Sequence, residues 1–167
     1  MVVSLELPRV IYEKVRERGL DLEDLVMYAL VKTVQLDPGK LAKARFELTD
    51  KYLSEAREYI DKGDAVQASE KLYKVAEECV KALAEKYNTP EYQEAVREGR
   101  WFACLLGRAA RSLSARLNEP RIADAWSRAY DLHVWGFHES KYGIDYVRVD
   151  LPLIEWLVNY TRQLVAR

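Results

Sequence analysis

The residue types that could perform chemistry are concentrated in one stretch, residues 125–140, with the sequence AWSRAYDLHVWGFHES. This stretch contains both histidines of the chain and two of its four tryptophans. Its polar and aromatic members are Trp126, Arg128, Asp131, His133, Trp135, His138 and Glu139. Histidine is the only side chain whose ordinary pKa lies near neutrality. If the protein has a site, we expect it here.

The spacing of Arg128 and His133 suits RNA cleavage without a metal. An imidazole can move the proton of a 2′-hydroxyl, and a guanidinium can hold the phosphate whose charge rises in the transition state. In an unbroken α-helix, however, residues five apart diverge by about 140°. We therefore expect His133 on the apolar, core-facing side of the helix, where its ring donates a hydrogen bond to a carbonyl. Arg128, Trp135 and His138 are expected on another side of the same helix. Arg128 and His133 meet only if the helix bends near Gly136 or if a pocket forms across a two-fold axis.

The same stretch does not match a metal or cofactor site. His133, His138 and Glu139 lack the one-face spacing of a helical ligand set such as His-Glu-x-x-His, and the chain has no further histidine to complete them. No glycine-rich phosphate loop is present, so the sequence predicts neither a metal nor a cofactor. Trp135 lies on the polar side and is a candidate interface residue, with His138 and Glu139 beside it.

Composition excludes some partners and favours one compartment. The 26 basic and 27 acidic residues leave a net charge of -1, which does not indicate a nucleic acid or an anionic membrane. No signal peptide and no apolar run of membrane length is evident, so we expect a cytoplasmic protein. The abundance of Lys, Arg and Glu is typical of thermophilic proteins. Cys79 and Cys104 lie in apolar helical patterns and are expected to be buried reduced thiols, with a disulfide as the alternative.

The first 37 residues predict a strand followed by two helices. The alternation of Val3, Leu5 and Leu7 predicts a short strand over residues 2–8. A first helix then begins after Pro8 and ends at Gly19, Asp21 caps a second helix, and Asp37-Pro38-Gly39 marks a boundary. Residues 1–37 are therefore expected to form an N-terminal strand-helix-helix appendage.

This order of elements also occurs in ribbon-helix-helix modules, whose strands pair between subunits and read DNA in the major groove. Here the outward face of the predicted strand carries Ser4 and Glu6. A carboxylate at that position would face phosphates, so we do not expect sequence-specific DNA binding. We expect instead that the strand pairs in a dimer or packs against the rest of the chain.

Residues 38–167 are predicted to form one helical bundle domain. Amphipathic patterns indicate helices over about 38–62, 64–87, 90–99, 101–117 and 121–138, with Asp64 as a cap. Residues 145–149 are expected to be irregular or extended, and Asp150 is expected to cap the last helix. Short loops between helices indicate antiparallel neighbours. The predicted fold is therefore all-α, an antiparallel helical bundle with the N-terminal appendage.

Four segments resemble the archaeal PaREP family, in its first subfamily. They are KGDAVQASEKLYKVAEECVKALAE over residues 62–85, Leu36-Asp37-Pro38, Glu98-Gly99-Arg100-Trp101, and Leu132-His133 through Gly136-Phe137-His138-Glu139. The resemblance runs over nearly the whole chain. That family, which has no characterised function, is similar in helical plan to the HEPN superfamily and to the substrate-binding domains that accompany small nucleotidyltransferases.

The resemblance implies a HEPN-like helical bundle that commonly forms dimers. Many HEPN toxins are metal-independent RNases. Their sequence motif begins with an Arg, which is often followed by a polar residue, and a His comes after four to six positions. Arg128 and His133 match this spacing, whereas Ala129 departs from the polar preference. Noncatalytic relatives act as binding or antitoxin-like partners. The resemblance therefore implies the fold and a dimer more strongly than an activity.

Two hypotheses about function follow. The first is a non-enzymatic interaction protein that acts as a homodimer and can bind a protein partner, with Trp135 and the Val3, Leu5 and Leu7 face as interface candidates. The alternative is a HEPN-type endoribonuclease in which Arg128 clamps the phosphate and His133 transfers the proton. RNA is a partner only under the alternative.

Overall fold

The computed structural model describes residues 4–34 and 37–166. Within these residues the chain forms α-helices and one π-helical segment, and no strand, which confirms the all-α prediction. The helices are α1 (Arg9–Glu17), α2 (Leu22–Val34), α3 (Pro38–Asp61), α4 (Ala65–Lys86), α5 (Pro90–Glu98), α6 (Ala103–Leu117), α7 (Arg121–Asp131) and α8 (Ile144–Val165), with the π-helical segment Leu132–His138 between α7 and α8.

Local capping chemistry places several helix starts where the sequence predicts them. The side chain of Asp37 accepts a hydrogen bond from the backbone N–H of Lys40, and that of Asp64 accepts one from Gln67. Thr89 caps α5 in the same way, ahead of Pro90. Such caps satisfy N–H groups that have no partner inside the helix. The start of each of these helices is therefore fixed by its own residues.

Helix α4 is the centre of the molecule. Helices α3, α6, α7 and α8 and the π-helical segment all pack on it. Its apolar pattern predicts seven core positions, of which Tyr87, just past the helix end, is partly buried and six are buried, namely Leu72, Val75, Ala76, Cys79, Val80 and Leu83. Pairs between α3 and α4 join Arg45 to Glu85 and Glu55 to Lys71, so the two helices run in opposite directions. In the described part of the chain, no helix has the length and apolar character needed to cross a membrane.

The N-terminal strand is not found in the part of its range that the structure describes. Residues 4–8 have no regular secondary structure, and Val2 and Val3 lie outside the described residues. An isolated strand leaves its backbone N–H and C=O groups without partners, so it needs a neighbouring strand. No strand within residues 4–34 and 37–166 supplies one.

The predicted start of the last helix is wrong. Helix α8 begins at Ile144 and runs continuously through residues 145–149, so Asp150 lies inside the helix and is buried. Pro152 also lies inside α8, although proline normally disfavours that position. Val147 and Ile154, on either side of this region, are completely buried. Burial of residues before and after Pro152 in the core therefore outweighs the local preference for a helix that starts at Asp150.

A buried group of ion pairs connects α2 to the α3–α4 hairpin. Arg45 of α3 is completely buried and contacts Asp24, Glu78 and Glu85 at 2.7–2.8 Å. Lys81 of α4 is also completely buried, and it shares Asp24 and Glu78 with Arg45. No local sequence pattern predicts this cluster, because charged residues are rarely fully buried unless they are paired.

The two cysteines have different environments. Both are free thiols, but only Cys79 is buried, whereas Cys104 is exposed. The expectation of a buried thiol is therefore confirmed for Cys79 and wrong for Cys104. Cys104 lies on the face of α6 that lines a surface cleft, away from the packed positions Leu105 and Leu106.

Candidate functional site

The central element of the candidate site is the π-helical segment Leu132–His138, which follows α7 directly. The sequence predicts a continuous α-helix here, and that prediction is wrong. The backbone N–H of Glu139 bonds to the carbonyl of Val134, five residues earlier, at 2.9 Å. π-helices are rare and occur frequently at functional sites. The π-helical segment is therefore a candidate functional site.

Gly136 allows the π-helical segment to approach α4 closely. A Cβ added at Gly136 would lie 2.2 Å from Oγ of Ser69 and 2.6 Å from its Cβ. No side chain fits at such distances. Because only glycine fits, this residue sets how close the histidines on either side of it come to α4.

The π-helical backbone brings the two histidines together. A π-helix has more residues per turn than an α-helix, so residues five apart diverge much less around its axis. Nε2 of His133 and Nε2 of His138 are 3.1 Å apart, with the ring planes at 80° and the ring centroids at 4.4 Å. The expected separation of these residues onto different sides of an α-helix is therefore wrong.

The carboxylate of Glu70 holds His133 from the other side. Nδ1 of His133 is 2.9 Å from Oε2 of Glu70 on α4, so the partner is a carboxylate rather than the expected backbone carbonyl. An ionised carboxylate only accepts hydrogen bonds, which assigns a proton to Nδ1. In the neutral ring, Nε2 of His133 then carries a free lone pair that faces His138. Glu70, His133 and His138 form a continuous chain of polar contacts.

Aromatic rings surround His133 but leave one side open. The ring of Tyr73 stacks on His133 with centroids 4.0 Å apart, and Phe137 and Tyr130 lie at 6.0 and 6.3 Å. Burial raises the pKa of the Tyr73 hydroxyl, which therefore stays protonated at neutral pH. The His133 side chain is 22% exposed and His138 is exposed. The site is thus accessible from solvent on the side of His138.

Arg128 is paired with a residue of α8. It is exposed, and its Nη1 is 3.8 Å from Oδ1 of Asp150 on α8, whereas His133 faces α4. Burial raises the pKa of Asp150, and the Arg128 guanidinium opposes that rise. No hydrogen bond or ring contact joins Arg128 to His133 among the described residues. The dyad predicted from the spacing of Arg128 and His133 therefore stays a prediction.

The remaining predicted site residues are on the surface around the histidines. Trp135 is 46% exposed, and its carbonyl accepts hydrogen bonds from the backbone N–H groups of Lys141 and Tyr142. Glu139 is also exposed, at the end of the π-helical segment. Trp101 and Trp126, in contrast, are buried in the core, which agrees with the expectation that Trp135 differs from the other tryptophans.

A surface cleft of about 510 Å³ includes Tyr130, a neighbour of His133, in its lining. Its lining includes Arg108, Arg111, Trp126 and Tyr130. Arg111 donates to the carbonyl of Gly107 in its own helix, and Arg108 is paired with Glu94 at 3.1 Å. Two guanidinium groups and an aromatic ring are the groups that hold phosphates and stack on bases.

Glu70 and Tyr73 are site residues that the sequence analysis missed. They precede His133 by about sixty residues and belong to a different helix, so no local spacing connects them with it. The available signal was that both lie in the segment 62–85 that carries the family resemblance. No group of three or more His, Cys, Asp or Glu side chains suited to a metal ion occurs within residues 4–34 and 37–166.

Comparison with known proteins identifies relatives of known structure. A crystal structure of a Sulfolobus solfataricus protein is 36% identical, with a TM-score of 0.63, and the match covers 70% of this chain and 94% of the other. A solution structure of the same structural-genomics target is 37% identical, with a TM-score of 0.60, and the match covers 68% and 88%. No functionally curated protein matches the sequence. The profile of the archaeal PaREP1/PaREP8 family matches residues 44–158, and the chain therefore belongs to that family.

Proposed function

We propose that this family member is an interaction protein that acts as a homodimer and has no catalytic activity of its own. One observation carries the proposal, namely that α1 turns an apolar face to solvent. No residue of α1 is buried, and Val10 and Ile11 are 63% and 47% exposed. Burial of such an aliphatic side chain contributes about 1.5–3 kcal/mol, so an uncovered face forgoes substantial stability.

The occupant that we propose for this face is a second copy of the chain. Val10, Ile11 and Val15 of α1, with Leu20 just after it, line a shallow hollow. In a dimer with two-fold symmetry, the same surface of each chain contacts its counterpart on the other chain. The apolar face of α1 could therefore be covered by α1 of the second copy. Lys14 and Arg18 also line the hollow, and the two ion pairs of α1, Arg9–Glu13 and Lys14–Glu17, are exposed. Trp135, His138 and Glu139 are candidates for a second contact or for a protein partner.

The arrangement of the helices, the division of the chain, its location and its source are also proposals. We propose that the helices form an antiparallel, HEPN-like bundle, for which the opposite directions of α3 and α4 are supporting evidence. We propose residues 1–37 as the dimerisation appendage and residues 38–167 as the bundle domain. A cytoplasmic location and a thermophilic source remain proposals based on composition.

Sedimentation velocity tests the dimer. We expect wild-type protein at micromolar concentration to sediment with twice the chain mass of 19.4 kDa. Ile11→Glu places a carboxylate on the apolar face and should give monomers. Arg9→Glu adds a carboxylate to the exposed polar side of the same helix and is the matched control, expected to remain dimeric. A wild-type monomer, or equal behaviour of the two variants, contradicts the proposal.

A metal-independent endoribonuclease that uses Arg128 and His133 is the second candidate. The chain of contacts from Glu70 through His133 to His138 favours it, because a carboxylate on one ring nitrogen orients an imidazole for proton transfer at the other. Arg128 faces α8, so we propose that the phosphate-holding Arg128 and the proton-transferring His133 come from opposite protomers. Arg108 and Arg111 in the cleft beside Tyr130 would hold neighbouring phosphates of the RNA.

RNA cleavage in excess chelator tests this candidate. Wild-type protein should cut single-stranded RNA, and Arg128→Ala and His133→Ala should each lose about a hundredfold or more. If the dyad forms between protomers, mixing the two inactive variants restores part of the activity, because some mixed dimers then contain one intact pair. Each variant must melt near the wild-type temperature. Absence of cleavage by wild-type protein leaves the interaction protein as the function.

A further inference from the structure

We propose that His133 and His138 together bind a divalent transition-metal ion such as Zn²⁺, Ni²⁺ or Cu²⁺, and that Glu70 orients His133 for this role. The two rings would contribute one Nε2 atom each, and solvent would complete the coordination. This site goes beyond the proposed dimer and does not depend on it. Imidazole is a preferred ligand for these ions.

The distance between the two nitrogens fits ligands of one ion. Metal–imidazole bonds of 2.0–2.1 Å place two neighbouring ligand nitrogens about 2.9 Å apart at a right angle and about 3.4 Å apart at the tetrahedral angle. The Nε2 atoms of His133 and His138 are 3.1 Å apart, within this interval. The π-helix produces this distance, because in an α-helix the same two residues would diverge.

The orientation of the rings also supports a shared ion. A straight N–H···N hydrogen bond of this length would place the ring centroids roughly 5 Å or more apart. The centroids of His133 and His138 are 4.4 Å apart, with the planes at 80°. The axes of the two rings are therefore inclined to each other rather than aligned end to end. An ion on that side can contact both Nε2 atoms after small rotations of the rings.

Glu70 supplies the outer contact that metal-binding histidines normally have. Such histidines almost always donate their other ring N–H to a carboxylate, a carbonyl or water, which fixes the tautomer and the ring orientation. Nδ1 of His133 is 2.9 Å from Oε2 of Glu70. Tyr73, stacked on the same ring, limits its rotation. His133 is thus held with the Nε2 lone pair available.

The site is open enough for an ion to enter and to keep water ligands. His138 and Glu139 are exposed, and two protein nitrogens leave two or more coordination positions for solvent. An ion would occupy the lone pair of His133 Nε2 that the ribonuclease candidate needs for proton transfer. Metal binding and RNA cleavage at His133 therefore exclude each other, and Zn²⁺ should inhibit any cleavage.

Calorimetric titration of the untagged full-length chain with Zn²⁺ and Ni²⁺ tests the inference. The chain has only two histidines, so an affinity tag of histidines must be removed. We expect one ion per chain for wild-type protein and loss of measurable binding in His138→Ala. Because His138 is exposed, this variant should keep the wild-type melting temperature and serves as the test even if His133→Ala does not fold.

Glu70→Gln separates the orienting role of Glu70 from the ligands themselves. Its affinity for Zn²⁺ should fall by about ten- to a hundredfold, as for other outer contacts of metal ligands. Glu98→Gln, an exposed carboxylate at the end of α5, is the matched control and should bind like wild-type protein. If wild-type protein takes up neither Zn²⁺ nor Ni²⁺, or if His138→Ala binds them as tightly, the inference is wrong. Neither result changes the sedimentation test of the dimer.

Discussion

Nε of Arg45 lies 2.8 Å from Oε1 of Glu85, and neither side chain is exposed to solvent. Arg45 makes two more buried ion pairs, with Asp24 of α2 and Glu78 of α4. A single guanidinium on α3 therefore connects three helices. These ion pairs attach α2 to α3 and α4.

Arg45→Met should destabilise the protein strongly. The variant leaves Asp24, Glu78 and Glu85 buried without one of their cations, and removal of one partner of a buried ion pair typically costs about 3–5 kcal/mol. Arg57→Met is the matched control, because the Arg57–Glu155 pair is largely exposed and should contribute at most about 1 kcal/mol. Urea unfolding measures both. Equal unfolding midpoints for the two variants would show that the buried cluster is not important for stability.

Stability should fall as the pH rises from about 4.5 to about 7, through Glu85. Burial raises the pKa of Glu85 from 4.5 to about 7, although Arg45 opposes the rise. A raised carboxyl pKa means that the folded state binds more protons than the unfolded state in this window. The stabilisation is therefore present below the unfolded pKa and is lost as the pH approaches the folded pKa. The other oxygen of Glu85, Oε2, is buried without a hydrogen-bond partner.

Glu85→Gln tests this dependence. The neutral amide cannot ionise, so the difference in unfolding free energy between wild type and variant should change between pH 5 and 8 in favour of the variant. The pKa of Asp21 is lowered to about 2, so its contribution to stability is lost only as the pH falls toward that value, below the range of this test. A difference that is constant from pH 5 to 8 would contradict a raised Glu85 pKa.

Gly136→Ala should disturb the π-helical segment. The added methyl group would overlap Oγ of Ser69, and overpacking of this kind typically costs about 1–3 kcal/mol. Gly143→Ala is the control, because no atom lies within 4 Å of its added Cβ and its backbone φ is -79°. Thermal unfolding compares the two. Ser69→Gly should partly restore Gly136→Ala, and no destabilisation by Gly136→Ala would mean that the segment can move away from α4.

Trp135→Ala should change self-association more than stability. The side chain is 46% exposed, so its truncation costs the monomer little, whereas exposed tryptophans contribute strongly when a partner buries them. Sedimentation equilibrium should show weaker dimerisation with an unchanged melting temperature for the dissociated chain. Tyr146→Ala removes another exposed aromatic ring and serves as the comparison. A dimer of unchanged affinity would exclude Trp135 from the interface.

Much of the fold follows from local sequence signals. Asp37, Asp64 and Thr89 start their helices through short-range hydrogen bonds that any fold would allow. The apolar period of α4 identified its core positions, because a helix of this length must bury its apolar residues to be stable. The family resemblance also came from the sequence alone. The division at residue 37 stays a prediction, and the contacts of Asp24 with Arg45 and Lys81 attach α2 firmly to the rest.

The candidate site was predicted only in part, because its chemistry depends on contacts between distant residues. The sequence identified His133 and His138 as the residues of interest, since histidines are few and both lie in one stretch. It assigned them to different sides, because ordinary α-helical geometry was assumed. The pairing of Arg128 with His133 stays a prediction from their spacing, and the structure shows a contact of Arg128 with Asp150 on α8.

The sequence by itself determined the all-helical class, the capped helix starts and the stretch that contains the histidines. The tertiary structure decided which side chains meet there. Close packing of Gly136 on Ser69 accompanies a local change from α- to π-helix, and this change aligns His133 with His138. Glu70 reaches His133 only because α4 passes beneath the segment. Helix propensity and capping act over a few residues, whereas these contacts arise from packing between helices, which no local pattern encodes.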